Sequence, residues 1–415
     1  MHQVDVIVLG AGIVGVSTAV HLRKRGLSVA LIDRRHPGEE ASFGNAGLIA
    51  RNGFCPISLP RRSADLIDIA LKQSTAFHCD YGAMVRLAPW LRHYFRHNGR
   101  GGIQHLARMM ERLRAQSARE HHVLAARANA ERFYRKSGWL QVYRSEATFR
   151  ADERERHYAR IFGIDYRELS GGDLNSVEPG LKSRDLTGVY WPESESVSNP
   201  AGVVEALWRY FIQEGGIFLN GDAFALEQRR LGWRIATARK GVAGRQVVVA
   251  LGTWSAGFAM RFREQFPMAI TRGYHGHFRP RSGASLSRPV MDVDHGYTLS
   301  PMEGGIRLTT GLEIADRDAI ANPIQLERAE KRVRDIFPLG GGVPDAPWMG
   351  SRGHMPDSLP VIGASASRPG LWYNFGHGGA GFTLGPLSGR ILADMITERD
   401  AGFDTAPLSP LRFLT

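Results

Sequence analysis

Residues Val4 to Asp33 constrain the fold more than any other part of the chain. An apolar run, Val4-Asp5-Val6-Ile7-Val8-Leu9, leads into Gly10-Ala11-Gly12-Ile13-Val14-Gly15; an apolar helical stretch, a second apolar run from Leu27 to Ile32 and the acid Asp33 follow. Strand, glycine turn, helix, strand and carboxylate in that order make the βαβ unit that holds an ADP moiety. Gly10 permits the tight turn, Gly12 lets the backbone approach a pyrophosphate without an intervening Cβ, and Gly15 allows the helix to lie close on the sheet. The helix N-terminus offers unpaired N–H groups and a partial positive charge to the phosphates. Asp33 is placed to accept hydrogen bonds from a pair of ribose hydroxyls, and it would repel a 2′-phosphate.

The 415 residues, 43% of them hydrophobic, suffice for two substantial cores. Cys55 and Cys79 are the only cysteines and lack metal or CxxC spacing. No disulfide framework, iron–sulfur cluster, structural zinc or other metal is expected. No apolar stretch is long enough to span a bilayer, and a nucleotide strand beginning at Val4 leaves no room for a signal peptide. The expected location is the cytoplasm, either free or peripheral on the inner face of the membrane.

Net charge is +12, and between Arg86 and Lys136 twelve Lys/Arg face only Glu111, Glu120 and Glu131. Ile103, Leu106, Met110, Leu113 and Leu124 recur there at helical spacing, so a long helix should bury one face and display arginines on the other. That basic face suits an anionic lipid surface or an acidic partner subunit; the lack of Trp or Phe anchors on it favours a solvated cap helix instead. No nucleic-acid-binding module accompanies the charge, and nucleic acid is not expected as a partner.

Further along, Gly188-Val189-Tyr190-Trp191-Pro192 reads as the start of a turn-rich passage and Asn199-Pro200 as a helix entry. Gly216 to Leu219 and Gln246 to Gly252 read as a strand pair. From Pro267 to Ile314 the alternation changes to that of half-buried antiparallel strands, suited to a second sheet covering a pocket. Glycine-rich texture returns from Trp348 and ends in a helix, Leu387 to Thr397. The nucleotide domain is therefore expected to be discontinuous, over residues 1–86, 188–262 and 344–415, with 87–187 and 263–343 building a substrate or cap domain.

Three more glycine-rich stations exceed what a nicotinamide site needs. Ala41-Ser42-Phe43-Gly44-Asn45-Ala46-Gly47-Leu48 offers Ser42 to a pyrophosphate oxygen and Asn45 to the far half of a cofactor. Ala250-Leu251-Gly252-Thr253-Trp254-Ser255 is the next. The last, Gly376-His377-Gly378-Gly379-Ala380-Gly381-Phe382-Thr383, precedes a helix whose positive end could face a flavin, with a His377 ring N–H or a peptide dipole steadying the reduced ring. With these four stations in order, the chain resembles the FAD-dependent amine oxidoreductase family of D-amino-acid oxidase, sarcosine oxidase and bacterial D-amino-acid dehydrogenases. The runs Ser42–Gly47, Thr271-Arg272-Gly273-Tyr274-His275 and Trp348-Met349-Gly350-Ser351-Arg352, followed by Pro356 to Gly363, are most similar to the dehydrogenases, including those acting on D-proline and cis-4-hydroxy-D-proline.

The resemblance implies an α/β Rossmann-like FAD-binding domain of the glutathione reductase type and a second, α+β substrate domain on an antiparallel sheet. The cofactor set it implies comprises Gly10 to Gly15, Asp33, Arg34, Ser42, Asn45 to Leu48, Phe224, Gly252, Trp254, Arg352, His377 to Gly379 and Gly381 to Thr383. With no cysteine in the C-terminal third, FAD is expected to be non-covalent. Arg352, in the family's Trp-x-Gly-x-Arg pattern, would grip the substrate carboxylate through two parallel hydrogen bonds, unless it pairs with Asp357. Tyr274 is the first candidate for further substrate contact, against a core role, and His275 is either a base or a structural histidine. Tyr297 and Arg307 rank second, the latter with Glu313 as its other possible partner. The expected reaction is oxidation of a D-amino acid or cyclic imino acid. The absence of a lysine near the site favours a quinone or partner subunit over oxygen as electron acceptor, with a sarcosine- or glycine-type oxidase and a flavin subunit of a larger complex as alternatives.

Overall fold

Strand β1 (His2–Leu9) is sealed on both faces, with Val6 to Leu9 fully buried. A strand covered on both sides belongs in a parallel sheet flanked by helices. β1 lies between β2 (Val29–Asp33) and the strand Val242–Val249; β2 continues to Ile217–Asn220, and Val242–Val249 to Leu371–Phe375, all in parallel. Helix α1 (Ile13–Lys24) crosses from β1 to β2 and packs on the helices Gly381–Ile396 and Pro200–Gln213. The computed structural model describes residues 1–56, 74–237, 240–281, 283–344 and 347–413.

The strands at Ile217 and Val242, expected to pair, stand on opposite sides of β1 and β2. An unanticipated hairpin, Leu226–Arg229 with Gly232–Ile235, follows in the chain and adds antiparallel to the first half of Val242–Val249 at the outer edge of the sheet. Asn199 begins the helix Pro200–Gln213 as expected, its side chain accepting the Gly202 N–H at 2.8 Å.

The second sheet is built around Ala269–Pro280, which pairs antiparallel with Gly305–Thr309 and with Trp348–His354. Beyond Gly305–Thr309 come Tyr297–Met302, Val290–Asp292, Trp139–Tyr143, Thr187–Trp191 and Arg167–Ser170. One face packs on the helix Ile324–Ile336, burying Tyr274, Phe278, Leu299, Leu308 and Val333 in one core.

Four segments fall on the other side of the expected division. Phe77–Cys79 pairs in parallel with Leu312–Ile314 at the edge of the second sheet. Thr187–Trp191 is a strand of the second sheet, in register Trp139↔Trp191; its Val-Tyr-Trp content suits a strand, and the turn signal belongs to Pro192. The helix Arg100–Ala128 sinks Leu106, Met110, Leu113 and Leu124 into the nucleotide-domain core, as its apolar spacing required, while Arg108, Arg112, Arg119 and Arg127 stay exposed. Trp348–His354 is hydrogen-bonded into the second sheet. Glycine texture alone does not reveal which sheet a strand joins.

Candidate active site

The turn after β1 forms a cradle. Gly10 has φ +102°, and a Cβ there would stand 2.3 Å from the Ala250 carbonyl oxygen. A Cβ on Gly15 would collide with the Gly10 carbonyl. Gly12 differs: its Cβ would meet only the Ser42 hydroxyl, at 3.3 Å, so this glycine leaves room for something outside the chain. Ser42 Oγ accepts the Ile13 N–H at 3.0 Å, which leaves its own proton to donate. Asp33 accepts N–H donors from Ala11 at 2.7 Å and from Arg35 at 3.0 Å, one on each carboxylate oxygen, and each oxygen keeps capacity for a hydroxyl donor. Arg34 lies over the Trp254 ring, 4.4 Å from its centroid. Phe224 is exposed and meets Phe258 edge-on.

The other stations converge on the same side. Asn45 turns its amide oxygen to the Gly47 N–H at 2.8 Å, which shapes the loop. Thr383 donates to the Leu48 carbonyl at 3.0 Å, tying this loop to the start of the C-terminal helix. That helix begins at Gly381, inside the last station, with no side-chain cap on its first N–H groups. His121, which the sequence gave no reason to single out, donates from Nε2 to the Phe382 and Thr383 carbonyls at 2.9 and 3.2 Å. Its Nδ1 then accepts from the Tyr134 hydroxyl.

Strand alternation defines what faces this cradle. Thr271, Gly273, His275 and His277 point one way, and cross-strand pairing carries that face to Thr309 and Arg307, then to Thr298 and Ser300, and on the other side to Arg352, Gly350 and Trp348. This inner face meets the Ser42–Gly47 loop. Arg307 donates to the Phe43 carbonyl at 2.9 Å and to the Asn45 carbonyl. Trp348 stacks on His275 with 5.0 Å between centroids and lies so close over Gly44 that a Cβ there would be 1.7 Å from its ring.

Arg352 is half-buried, and its guanidinium rests over Gly273, where a Cβ would come within 2.8 Å of its nitrogens. Among the described residues its one hydrogen bond is a long one, 3.4 Å to the Gly311 carbonyl. Among the described residues neither Arg352 nor Arg307 has a carboxylate in salt-bridge range, and burial lowers the pKa of both, Arg307 to about 10. The two alternative pairings fail: Asp357 is bound by Arg412 at 2.7 Å, and Glu313 by Arg272 at 2.8 Å on the opposite face. The same inner face carries His275 Nδ1, Ser300 Oγ and Thr309 Oγ1, buried polar atoms with no hydrogen-bond partner among the described residues. Buried polar atoms ordinarily find partners, so this face is built for something beyond the chain.

Two expected site residues face elsewhere. Tyr274 points into the core behind the sheet, donates to Glu313 at 2.7 Å and accepts the Asn322 N–H at 2.8 Å. Together with Arg272 it pins the loop before Ile324, and burial and Glu313 push its pKa up to about 12. Tyr297 belongs to the same core and accepts from Arg144 at 3.2 Å beside Asp292. In both cases the one-residue alternation of the strand, unreadable without the register, decides the face.

The histidines are neutral at ordinary pH: burial, as the largest cause, lowers His275, His354 and His377 to about 3. Ser388 donates its hydroxyl to Gly385, so its oxygen receives the His377 Nε2–H at 3.0 Å. That leaves His377 no ring N–H to offer a flavin, contrary to one option read from the sequence; the helix terminus remains. His354, missed in the sequence, meets Thr271 Oγ1 at 2.9 Å, and its carbonyl accepts from Trp90.

The open approach at Gly12, the donor left on Ser42 and the free capacity of Asp33 fit the pyrophosphate and ribose of a dinucleotide. The family described as "DAO: FAD dependent oxidoreductase" matches residues 5–395. A D-amino-acid oxidase of Bradyrhizobium diazoefficiens is 27% identical over 419 residues, covering 99% of each chain. A D-amino acid dehydrogenase of Rhizobium rhizogenes is 29% identical over 436 residues, covering 98% of this chain and 99% of that protein. Among solved structures, glycine oxidase from Geobacillus kaustophilus is similar with a TM-score of 0.75 at 22% identity, over 100% of this chain and 99% of its own. L-proline dehydrogenase from P. horikoshii follows with 0.70 at 17%, over 99% and 98%. The cofactor is FAD, the architecture is a Rossmann-like FAD-binding domain with a substrate domain, and the chain belongs to the DAO family of FAD-dependent oxidoreductases.

Proposed function

We propose that this protein is a D-amino-acid dehydrogenase that oxidises the Cα–N bond of a D-amino acid, with D-proline or cis-4-hydroxy-D-proline as favoured substrates, and gives its electrons to a quinone. One observation carries the reading: Arg352 is a half-buried cation without a carboxylate partner among the described residues, on the sheet face that meets the Ser42–Gly47 loop. A guanidinium so placed binds the substrate carboxylate and fixes the orientation of Cα. Bound FAD supplies the hydride acceptor. The site residues supply position and surroundings: His275 and His354 do not take a proton near neutral pH, and the substrate amine loses its proton to water. The imine left by oxidation is hydrolysed to a keto acid or, from a cyclic amine, stays a cyclic imine.

The names of both curated relatives support D-amino acids as the substrate class. The first of them also favours a second reading, an oxidase that makes hydrogen peroxide. Bleaching of the flavin's visible absorbance under nitrogen, across D- and L-amino acids, sarcosine and hydroxyproline isomers, tests the substrate. Peroxide yield in air against dye reduction under nitrogen separates the two readings. Arg352→Ala should raise KM by roughly 30- to 1000-fold, equivalent to about 2–4 kcal/mol for a charge-assisted pair. Unchanged KM in that variant, or bleaching by no D-isomer, overturns the proposal.

A further inference from the structure

The helices Tyr81–Arg86 and Ala88–His97 form one nearly continuous rod, because Leu87 between them is itself in the right-handed helical region and accepts the Leu91 N–H at 2.8 Å. The rod has two different sides. Its inner side buries Trp90 and Tyr94, and it is bonded to the active-site strand: Trp90 donates to the His354 carbonyl at 2.9 Å and Asn98, just past the end, donates to the Pro356 carbonyl at 3.0 Å. Its outer side carries Met84, Val85, Ala88, Arg92, Phe95 and Arg96, which follow one another at helical spacing, and all are exposed. Val85 is 77% exposed and Phe95 67%. Arg92 and Arg96 have no acidic partner among the described residues. Arg86, at the flank, is paired with Asp316.

This is the combination missing from the outer face of Arg100–Ala128. A large exposed aromatic and two aliphatic side chains, flanked by arginines that have no acidic partner among the described residues, on a helix lying flat on the protein, are the elements of an interfacial helix. The charge chooses the surface: exposed guanidiniums, in a stretch whose basic residues exceed its acids by nine, complement anionic headgroups, while Phe95, Val85 and Met84 reach the acyl boundary. No helix among the described residues is long and apolar enough to cross a membrane.

We infer that the outer face of residues 84–96 is a docking surface for an anionic lipid bilayer. The inference rests on the proposed quinone acceptor, since a lipid-soluble oxidant is met at such a surface, and the bonds from Trp90 and Asn98 place the docked helix directly behind the strand that bears Arg352.

The test is co-sedimentation of the full-length, FAD-loaded protein with vesicles of equal parts phosphatidylcholine and phosphatidylglycerol, against vesicles of phosphatidylcholine alone. The protein should pellet with the anionic vesicles at low salt and be largely released at high salt. Phe95→Ser should weaken partitioning by about tenfold, through lost apolar area, and Arg92→Gln and Arg96→Gln by about fivefold each. Amino-acid-dependent reduction of a soluble dye should be unchanged in all three. No binding to anionic vesicles, or binding indifferent to Phe95→Ser, overturns the docking surface; the first outcome also fits an acidic protein as the partner. Dye reduction reports the chemistry independently, so failure of the vesicle test leaves the proposed reaction standing, and the reverse.

Discussion

Acid should loosen this protein by an amount set by its buried imidazoles. His275, His354 and His377 have folded pKa values near 3 and His121 near 4, against 6.5 when unfolded, in each case chiefly through burial. A histidine held neutral when folded takes up its proton only on unfolding. Its contribution is complete above the unfolded value and is lost as pH falls from about 6.5 toward 3 or 4. Between neutral pH and pH 5 each such group costs about 2 kcal/mol, roughly 7 kcal/mol for the four. Asp152, raised to about 6 by burial, works in the opposite direction and returns about 1 kcal/mol over the same interval. The loss of about 6 kcal/mol from these five groups, divided by an unfolding entropy of about 2.1 cal/mol/K per residue, lowers Tm by about 7 °C; His21, lowered by burial, adds to it, and Glu120, raised by burial, opposes it. Thermal unfolding of the FAD-loaded protein across this range measures it, and His354→Asn and His377→Asn should each flatten the slope by one proton. A Tm flat to within a degree or two, or a slope indifferent to both substitutions, would refute the burial argument.

Four substitutions separate roles that look alike in sequence. Gly12→Ala should fold normally, since its φ is negative and its Cβ meets only Ser42, yet weaken FAD binding measured by flavin fluorescence. Gly10→Ala, facing Ala250 at 2.3 Å with φ +102°, should give little folded protein. Gly273→Ala pushes a Cβ to 2.8 Å from the Arg352 guanidinium and should raise substrate KM by about tenfold through misplacement, with little change in Tm. Tyr274→Phe removes two buried hydrogen bonds; it should lower stability by about 1–3 kcal/mol in chemical denaturation while KM stays within about twofold.

The nucleotide half was legible because its signals are local. Gly10, Gly12, Gly15 and Asp33 act within one βαβ unit, where spacing along the chain fixes spacing in space, and the apolar period of Arg100–Ala128 named its buried side correctly. The substrate half was less legible because its signals are pairings. The motif Thr271-Arg272-Gly273-Tyr274-His275 contains two sets of side chains on opposite faces, and nothing within five residues says which set meets the cofactor domain. Partners distant in sequence decide it: Glu313 and Asn322 claim Tyr274, while Phe43, Gly44 and Trp348 surround His275. The contact between Thr271 and His354 escaped notice for the same reason, since the two are neighbours only through the register of two strands.

That register also explains why the motif alternates as it does. Arg272 and Tyr274 tie the sheet to the loop before Ile324, and both donate to Oε2 of the buried Glu313 carboxylate. Gly273 lies between them in sequence but on the other face, where the absence of a side chain creates the space that the Arg352 guanidinium fills. Anchoring and space are thus interleaved on one strand. A substitution at an even-numbered position of Thr271–His275 should therefore act mainly on stability and one at an odd-numbered position mainly on substrate affinity. The contrast between Tyr274→Phe and Gly273→Ala tests this in a single pair of proteins. If both changed KM alike, the strand would have to be turned over, and Arg352 would lose the space over Gly273 that holds its guanidinium.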